Sequence, residues 1–507
     1  MNSLIYQGEL MKYLLPLFFL TFVGTAAAQS DLQKLLPSDP DNFAGFGNAV
    51  DLDGDVAVVG SSTKSVGGLN YAGAVYVFRK QGAGPFVEEA RLLRPVPEIH
   101  DNFGTSVAVD GDVMVAGAPD FPYSSFTGIG AAYVYRYVGG VWQQEAELHG
   151  STAHVDSGFG RDVAIDGNRI LVGANLNSGG ACYVFEDNGI GWVQTAVLQP
   201  PSGSFHFDQF ASALALQGDI ALIGAARHMV SSHINAGKAF VYRYAGGLWQ
   251  LDAELLAPFP DDNEYFGAAV ALDGDVAVVG SPDDDSICVY RDSGFGWPFE
   301  LRFKNAGLGV DHGDAVAIEG NLILGGTPQS SFFETYGGAV YPYRYDNGTW
   351  LEDPPFFSED SGRHNGFGTA LAIQGGLVLA SSWHDEPGYI GLGCVYVMDP
   401  TPGLVLEINP NPAESGEDLD FRVRYGTPNA ATYIGVSFVG TATIYVAPLD
   451  VELGLQNPSP LLGPSNTNGQ GEVDWSLPLP LSAAGRDVWF QAVQYQKASN
   501  VVPTTVI

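Results

Sequence analysis

Positive charge is what this 507-residue chain most lacks: 22 Lys and Arg stand against 57 Asp and Glu, a formal net charge of −35. A nucleic-acid binder needs a basic footprint to displace counterions, so that class of partner is set aside. Cysteine is almost as scarce, with three in the whole chain, too few for a disulfide framework. Beyond residue 28 no run is long and apolar enough to cross a membrane, which takes about 20 residues. Catalytic signatures are missing as well. There is no G-x-S-x-G elbow, no H-E-x-x-H and no phosphate-binding glycine loop. Paired carboxylates are abundant, but no spacing singles out one pair for glycosidase-type chemistry.

The chain opens with three features in order. Lys12 follows Met11, an apolar run spans Leu14 to Val23, and Ala26-Ala27-Ala28 precede Gln29. A basic start, a short apolar stretch and a small-residue cleavage site make residues 1–28 a predicted export signal, with Met11 a candidate start. The predicted destination is extracytoplasmic: secreted or held at the cell surface.

Repetition dominates the rest. FGNAVDLDGDVAVVGSS (46–62), FGTSVAVDGDVMVAGAP (103–119), FGRDVAIDGNRILVGAN (159–175) and FGAAVALDGDVAVVGSP (266–282) are variants of one segment. Weaker copies start at 210, 312 and 367, making seven, roughly 45 to 57 residues apart. Such a period marks a propeller or solenoid. Each copy holds four short Val-, Ile- and Tyr-rich runs between Gly, Asp and Pro clusters, the pattern of strands. Asp-Gly between the first two runs predicts a tight hairpin of type I′. Four antiparallel strands repeated seven times predict an all-β, seven-bladed β-propeller.

Trp142, Trp192, Trp249, Trp297 and Trp350 open the fourth strand of five units, and Phe86 stands there in the first. Rings in equivalent places read as packing anchors between blades. Cys182, Cys288 and Cys394 also fall near one repeat position, in non-adjacent units. That separates them beyond the roughly 7 Å a disulfide spans, so they read as small core residues. The seventh unit stops at GCVYVMDP (393–400), without a fourth strand, while DLQKLLPSDPDN (31–42) matches the fourth strand and loop in EARLLRPVPEIHDN (89–102). The N-terminal strand is therefore expected to complete the last blade, giving a propeller over 30–399.

The pattern FGxxVAxxGDxxxVGAP, then GAVYVYR, then Trp, resembles bacterial FG-GAP-repeat proteins, relatives of the propeller head of integrin α chains. The resemblance implies an exported propeller used in adhesion or recognition. It also implies a point of departure. Integrin-type repeats carry a longer acidic calcium loop between the first two strands, where this chain has the bare turns Asp53-Gly54-Asp55, Asp110-Gly111-Asp112 and Asp273-Gly274-Asp275. Calcium takes six to eight oxygen ligands, which a two-residue turn does not supply. Gln217 and Gln374 replace the first Asp in two copies. No cofactor is expected, beyond calcium held loosely by the acidic surface.

Two connections per blade are short and fall on one face. The other two are long, as in APDFPYSSFTGIG (118–130) and AARHMVSSHINAG (225–237), and fall on the opposite face. Function concentrates on variable loops held by a rigid scaffold. The candidate ligand-binding residues on the long-loop face are Asp261, Asp262, Asp283, Asp284, Asp285, Trp383, His384 and Asp385. His100-Asp101, His154, His206, Asp311-His312 and His364 are assigned to the same face. No catalytic or metal residue is assigned. Asn347-Gly348-Thr349 is a glycosylation sequon by pattern, but a turn explains it.

DPTPG (399–403) is a linker. Residues 404–507 read as short alternating strands such as DLDFRVRY and DVWFQAVQYQ, predicting a small immunoglobulin-like β-sandwich. GQGEVDWSLPLPLSAAGRDVWFQAV (469–493) resembles a C-terminal module of other exported bacterial proteins. The expected function is non-enzymatic recognition, adhesion or surface structure, with an extracellular protein or glycan as partner. The alternative is an extracellular polysaccharide-active enzyme using the same acidic face.

Overall fold

In the computed structural model of the chain, residues 31–400 are described except 83, 120–128, 153–156, 176–178, 202–207, 305–310, 330–336, 354, 359–365 and 383–390; beyond 404 only backbone strands are described. Contacts divide the chain into two units, with the boundary at Thr401 and Pro402.

Seven four-stranded antiparallel sheets make up residues 31–400. Blade 1 runs Phe46–Asp53, Val56–Ser61, Ala74–Lys80 and Phe86–Leu92 from inside to outside. Blades 2 to 6 repeat this order, starting at Val107, Phe159, Phe210, Ala269 and Val316. Blade 7 has Leu371–Gln374, Leu377–Ser382 and Cys394–Met398, and its fourth strand is Asp31–Leu35 from the other end of the chain. Lys34 pairs with Tyr396 and Leu35 with Val395. The Gln33 amide also exchanges two hydrogen bonds with the Phe86 backbone of blade 1, donating at 2.6 Å and accepting at 2.7 Å. One short strand thus covers the edge of blade 7 and fastens it to blade 1, removing an exposed edge.

The core is seven apolar layers, one between each pair of neighbouring blades. Second and third strands are covered on both faces, and Val56–Ser61 is buried at every position. That is why these strands read as continuous Val runs rather than alternating ones. The Phe of each Phe-Gly pair packs edge-on against an aromatic of its own third strand, as in Phe46–Tyr76, Phe159–Tyr183 and Phe367–Tyr396, with centroids 5.2 to 5.5 Å apart. The glycines set how closely blades approach. A Cβ on Gly60 falls 2.1 Å from the Gly104 carbonyl oxygen of blade 2. The three cysteines are buried and free.

Three of the tryptophans fasten their blade to the one before it, whereas the buried Trp249 indole N–H has no hydrogen-bond partner among the described residues. Trp142, Trp297 and Trp350 donate their indole N–H to Glu89, Asp252 and Glu300 of the preceding blade at 3.0 to 3.1 Å. Arg79, Arg243 and Arg291 hold those same carboxylates. The guanidinium of Arg79 also lies 4.3 Å from the ring centroid of Tyr137 in the next blade. Acidic surface and scarce arginine are thereby combined in one repeated clamp.

Two expectations are corrected. The Asp-Gly hairpins between first and second strands are not type I′. At Gly54-Asp55 only the glycine has positive φ, +57°, and the same holds at Gly111, Gly167, Gly218, Gly274 and Gly320. Positive φ at the first turn residue alone fits type II′. Positive φ twice, as type I′ requires, occurs at the outer hairpins Gly139-Gly140, Gly246-Gly247 and Asn347-Gly348 and at the inner Gly375-Gly376 hairpin of blade 7. Asn347 therefore serves the turn. The second correction is His312, assigned to the loop face. It is wholly buried, occupying in blade 6 the place that Phe holds in the other six copies. Nδ1 meets Thr327 Oγ1 at 2.9 Å and Nε2 meets the Tyr343 hydroxyl at 2.8 Å. Burial pushes its pKa down to about 4, so it is neutral in the fold.

The second unit contains antiparallel sheets. Val405–Asn409, Asp418–Arg424 and Val473–Pro478 form one. Ala431–Ser437 pairs with Ser459–Asn466 and Asp487–Gln494 in another, and Thr441–Val446 pairs with Val451–Leu455. The packing expected of an immunoglobulin-like sandwich involves side chains outside the described residues. The predicted export signal also lies outside them. Among the described residues no helix is long and apolar enough to cross a membrane.

Candidate functional site

The inner strands converge on an axial channel of about 530 Å³ lined by all seven blades. Convergence leaves little room for side chains. Ala49, Ala213, Ala269, Ala315 and Ala370 occupy equivalent lining positions. Against that bland wall three charged groups stand out. Arg161 and Asp162 come from blade 3 and Asp314 from the start of blade 6. The Asp162 carboxylate accepts the Leu214 backbone N–H of blade 4 at 2.7 Å, satisfying an inner-strand donor that has no further strand to bond. Asp162 is half-buried at the channel wall, and desolvation there pushes its carboxyl up to about 7, opposed by its backbone hydrogen bonds and by Arg161. Asp314 is pushed up to about 6 by burial, then by Asp311 and Asp283. Arg161 is exposed to the channel; desolvation by the surrounding wall pulls its pKa down, opposed by Asp162.

A second cavity of about 330 Å³ adjoins the channel, sharing Arg161, Ser212 and Ala268 with it. Its other walls are the ends of second strands and the starts of inner strands in blades 3, 4 and 5: Asn175, Gln209, Arg227, Tyr265 and Asp283. Those segments belong to the long-loop face, so this cavity is the channel mouth. Arg227 is exposed, with its guanidinium 6.0 Å from the Tyr265 ring centroid. Asn175 Oδ1 and Ser212 Oγ are buried and have no hydrogen-bond partner among the described residues.

The candidate residues divide by what holds them. Asp283 lines the mouth, and burial raises its pKa. Asp284 is spent on structure, bonding Ser286 Oγ at 2.7 Å and pairing with Arg302 at 3.1 Å and Lys304 at 2.5 Å. Asp285 caps a short 3-10 turn in the left-handed region and accepts the His312 N–H at 3.3 Å. Asp261 and Asp262 are exposed. Asp262 accepts the Ile234 N–H at 2.8 Å, and His233 Nδ1 lies 3.6 Å from it and 3.7 Å from Asp261. They staple the loop entering blade 5 to the long loop of blade 4. Trp383, His384 and Asp385 lie outside the described residues, as do His154, His206 and His364. His100 stacks on Tyr71 at 5.1 Å, and Asp101 pairs with Arg94. Arg161, Asn175, Ser212 and Arg227 are absent from the sequence-based assignment. The signal for Arg161 is its slot: after the Phe-Gly pair the other copies carry small or uncharged residues or, in blade 6, Asp314.

The Asp-Gly-Asp turns occupy the opposite face, and the structure gives their first residue a job. Asp53 accepts the Gly111 N–H of the next blade's turn, Asp110 that of Gly167, and Asp166 that of Gly218. Gln217, Asp273, Glu319 and Gln374 continue with Gly274, Gly320, Gly375 and Gly54. Six of these seven joints measure 2.5 to 2.7 Å. The series returns to its start, so it is a closed ring of side-chain-to-backbone bonds. Gln serves as well as Asp because the requirement is an acceptor, not a charge. Gln217 adds a donor bond to Asp273 at 2.9 Å. Each blade supplies one acceptor, a carboxylate in five blades and a Gln amide in two. Among the described residues no three His, Cys, Asp or Glu side chains gather as a metal site.

Comparison with known proteins bears on the propeller. A family model described as the FG-GAP repeat matches residues 30–78, 86–135, 142–185 and 249–294. Each matched segment begins at the fourth strand of one blade and ends in, or three residues beyond, the third strand of the next. The sequence unit is thus offset from the blade by one strand, which is why the ring must be closed by its first strand. No curated protein matches the chain. Among solved structures, a structural-genomics target from Lactobacillus plantarum is similar over 68% of this chain and 99% of its own, at 12% identity and a TM-score of 0.44.

Proposed function

This chain is an FG-GAP-repeat β-propeller protein, and from that premise we propose that it is an exported, non-enzymatic recognition protein whose extracellular glycan or protein ligand docks at the channel mouth on the long-loop face. One observation carries the reading. The mouth is a concave cavity of about 330 Å³ built from strand ends of three blades, with unsatisfied buried polar atoms in its wall. Binding sites have this form: preformed, concave and set with a few polar groups. The loop entering blade 5 is stapled to the long loop of blade 4 by Asp262 and Ile234, so a ligand meeting that side of the mouth loses little ordering entropy.

The test is a glycan and matrix-protein array probed with the full chain, with and without calcium. Binding that persists in chelator is expected, and silence on every spot contradicts the reading. Export is tested separately, by comparing the compartment reached with and without residues 1–28. A second reading, a polysaccharide-active enzyme, has one observation in its favour: Asp314 is held at about 6 beside Asp311 and Asp283, a carboxyl suited to general-acid work. Release of reducing ends from an acidic or neutral polysaccharide, lost in Asp314→Asn, selects that reading instead.

A further inference from the structure

We propose that the channel mouth is a site for an acidic sugar, a hexuronate unit whose carboxylate is held between Arg161 and Arg227 while its hydroxyls bond Asn175, Ser212 and Asp283. This rests on the recognition reading above and names the ligand chemistry of that site.

The charge distribution is the first argument. In a chain with a net charge of −35, basic side chains are mostly committed to neighbouring carboxylates, as Arg79, Arg136, Arg243 and Arg291 are. Arg227 makes no ion pair among the described residues and stands exposed at the end of a second strand of blade 4. Arg161 lines the same cavity from the inner strand of blade 3, beside the Asp162 carboxylate. Guanidinium groups present paired donors that match a carboxylate in plane and spacing. Two of them at one cavity, on an acidic protein, define an anion subsite.

Unmet hydrogen bonding is the second argument. Asn175 is 6% exposed, and its Oδ1 has no partner among the described residues. Ser212 Oγ is likewise buried and unpartnered. Both line the same cavity as the two arginines. A buried acceptor without a donor is costly, and a ligand hydroxyl supplies that donor. Ser212 both donates and accepts. An inorganic anion such as chloride or sulfate offers no hydroxyl donor for these atoms, and hydrogen phosphate no ring of them. A neutral sugar offers nothing for the arginines. A hexuronate carries both.

Polarity and shape complete the match. Asp283 lies on the blade 5 side of the cavity, with Asp314 of blade 6 further along the channel. Their negative charge turns a ligand carboxylate toward the arginines and leaves acceptors for its hydroxyls. Tyr265 offers a ring face for the C–H side of a pyranose. The volume of about 330 Å³ fits one sugar ring with water, and the open side admits a chain end.

The experiment is calorimetric titration of the full chain with galacturonate, glucuronate, mannuronate and guluronate, each as monomer and as a short oligomer. Galactose and glutamate serve as controls. Binding of at least one uronate is expected, weakening with salt, with galactose and glutamate silent. Arg227→Ala should weaken it roughly 10- to 100-fold, and Arg227→Lys should recover part of that. Arg227 and Arg161 are both exposed, so Arg227→Ala and Arg161→Ala are both expected to fold. Binding by oligomer but not monomer places the uronate within a polysaccharide. No uronate bound at about 10 mM, or binding untouched by Arg227→Ala, overturns the proposal. Glutamate bound in place of uronates overturns it too. If the array finds a neutral glycan or protein ligand, only this inference falls. An empty array together with failed uronates removes both.

Discussion

Asp51→Ala is the perturbation whose consequence follows most fully from the structure. Asp51 sits on the inner strand of blade 1, where the other six blades carry Ala108, Ala164, Ala215, Ala271, Ala317 and Ala372. Its carboxylate accepts the Val109 N–H of blade 2 at 2.7 Å. Burial pushes its pKa from 3.8 up to about 7; the Val109 and Leu52 N–H groups oppose this and the charges of Asp53 and Asp110 add to it. The folded protein therefore holds this proton up to about pH 7, while the unfolded chain releases it near 4. Between those values the folded state binds more protons, so wild-type stability falls as pH rises. At 1.36 kcal/mol per pH unit the interval from 3.8 to 7 sets a ceiling of about 4 kcal/mol. Asp51 is half-buried, so solvent screens it, which reduces the expected effect to about 1–2 kcal/mol. Asp51→Ala should be equal to wild type or slightly weaker at pH 4, having lost one hydrogen bond, and more stable by about 1–2 kcal/mol at pH 8. Guanidinium unfolding followed by tryptophan fluorescence at each pH reads the difference, with the slope checked for constancy. A difference that is flat across pH, or a variant less stable at pH 8, refutes the reasoning.

Gly60→Ala drives a Cβ to 2.1 Å from the Gly104 carbonyl and should cost about 1–3 kcal/mol; Gly54→Ala meets nothing within 4 Å but has positive φ, and should cost about 1 kcal/mol. The two denaturation midpoints should differ in that order. His312 is neutral in the fold with a pKa of about 4 against an ordinary 6.5, so wild type loses stability as pH falls through that window. His312→Phe should flatten this acid limb, while losing about 1–3 kcal/mol at pH 7 because Thr327 and Tyr343 lose their partner. Asp110→Ala removes the acceptor for Gly167 N–H and should cost about 1 kcal/mol. Chelator should leave the wild-type melting temperature unchanged within about 1 °C, since a metal bound to the folded state would raise it.

The blades were legible because every copy carries the same physical requirements in the same order. Phe46 and its equivalents need an aromatic partner, Gly60 must let a neighbouring carbonyl approach, and Trp142 must reach the preceding blade. His312 was misplaced for the opposite reason. Read as a histidine beside Asp311 it suggested a loop site; aligned with the copy at Phe266 it marks a core position. The Asp-Gly turns were legible as hairpins but not by type, since residue names alone do not distinguish positive φ once from positive φ twice. The partner of Asp53 was invisible because the Gly111 N–H lies in another blade. The mouth was hidden by distance along the chain. Arg161, Asn175 and Arg227 come from strands of two blades, and nothing local marks them as neighbours. Among Asp283, Asp284 and Asp285 the sequence offers no ranking. Lys304 and Arg302 engage the middle one, and only Asp283 lines the cavity.

Everything placed on the two faces depends on a ring sealed by its own first strand. Hydrogen–deuterium exchange of the full chain measures this directly at Asp31–Leu35 and Cys394–Met398. Backbone amides bonded across this pair should be protected as strongly as those of interior strands such as Val56–Ser61. Exchange of Asp31–Leu35 at the rate of an exposed terminus, with Cys394–Met398 unprotected on that side, contradicts the closed seven-bladed account.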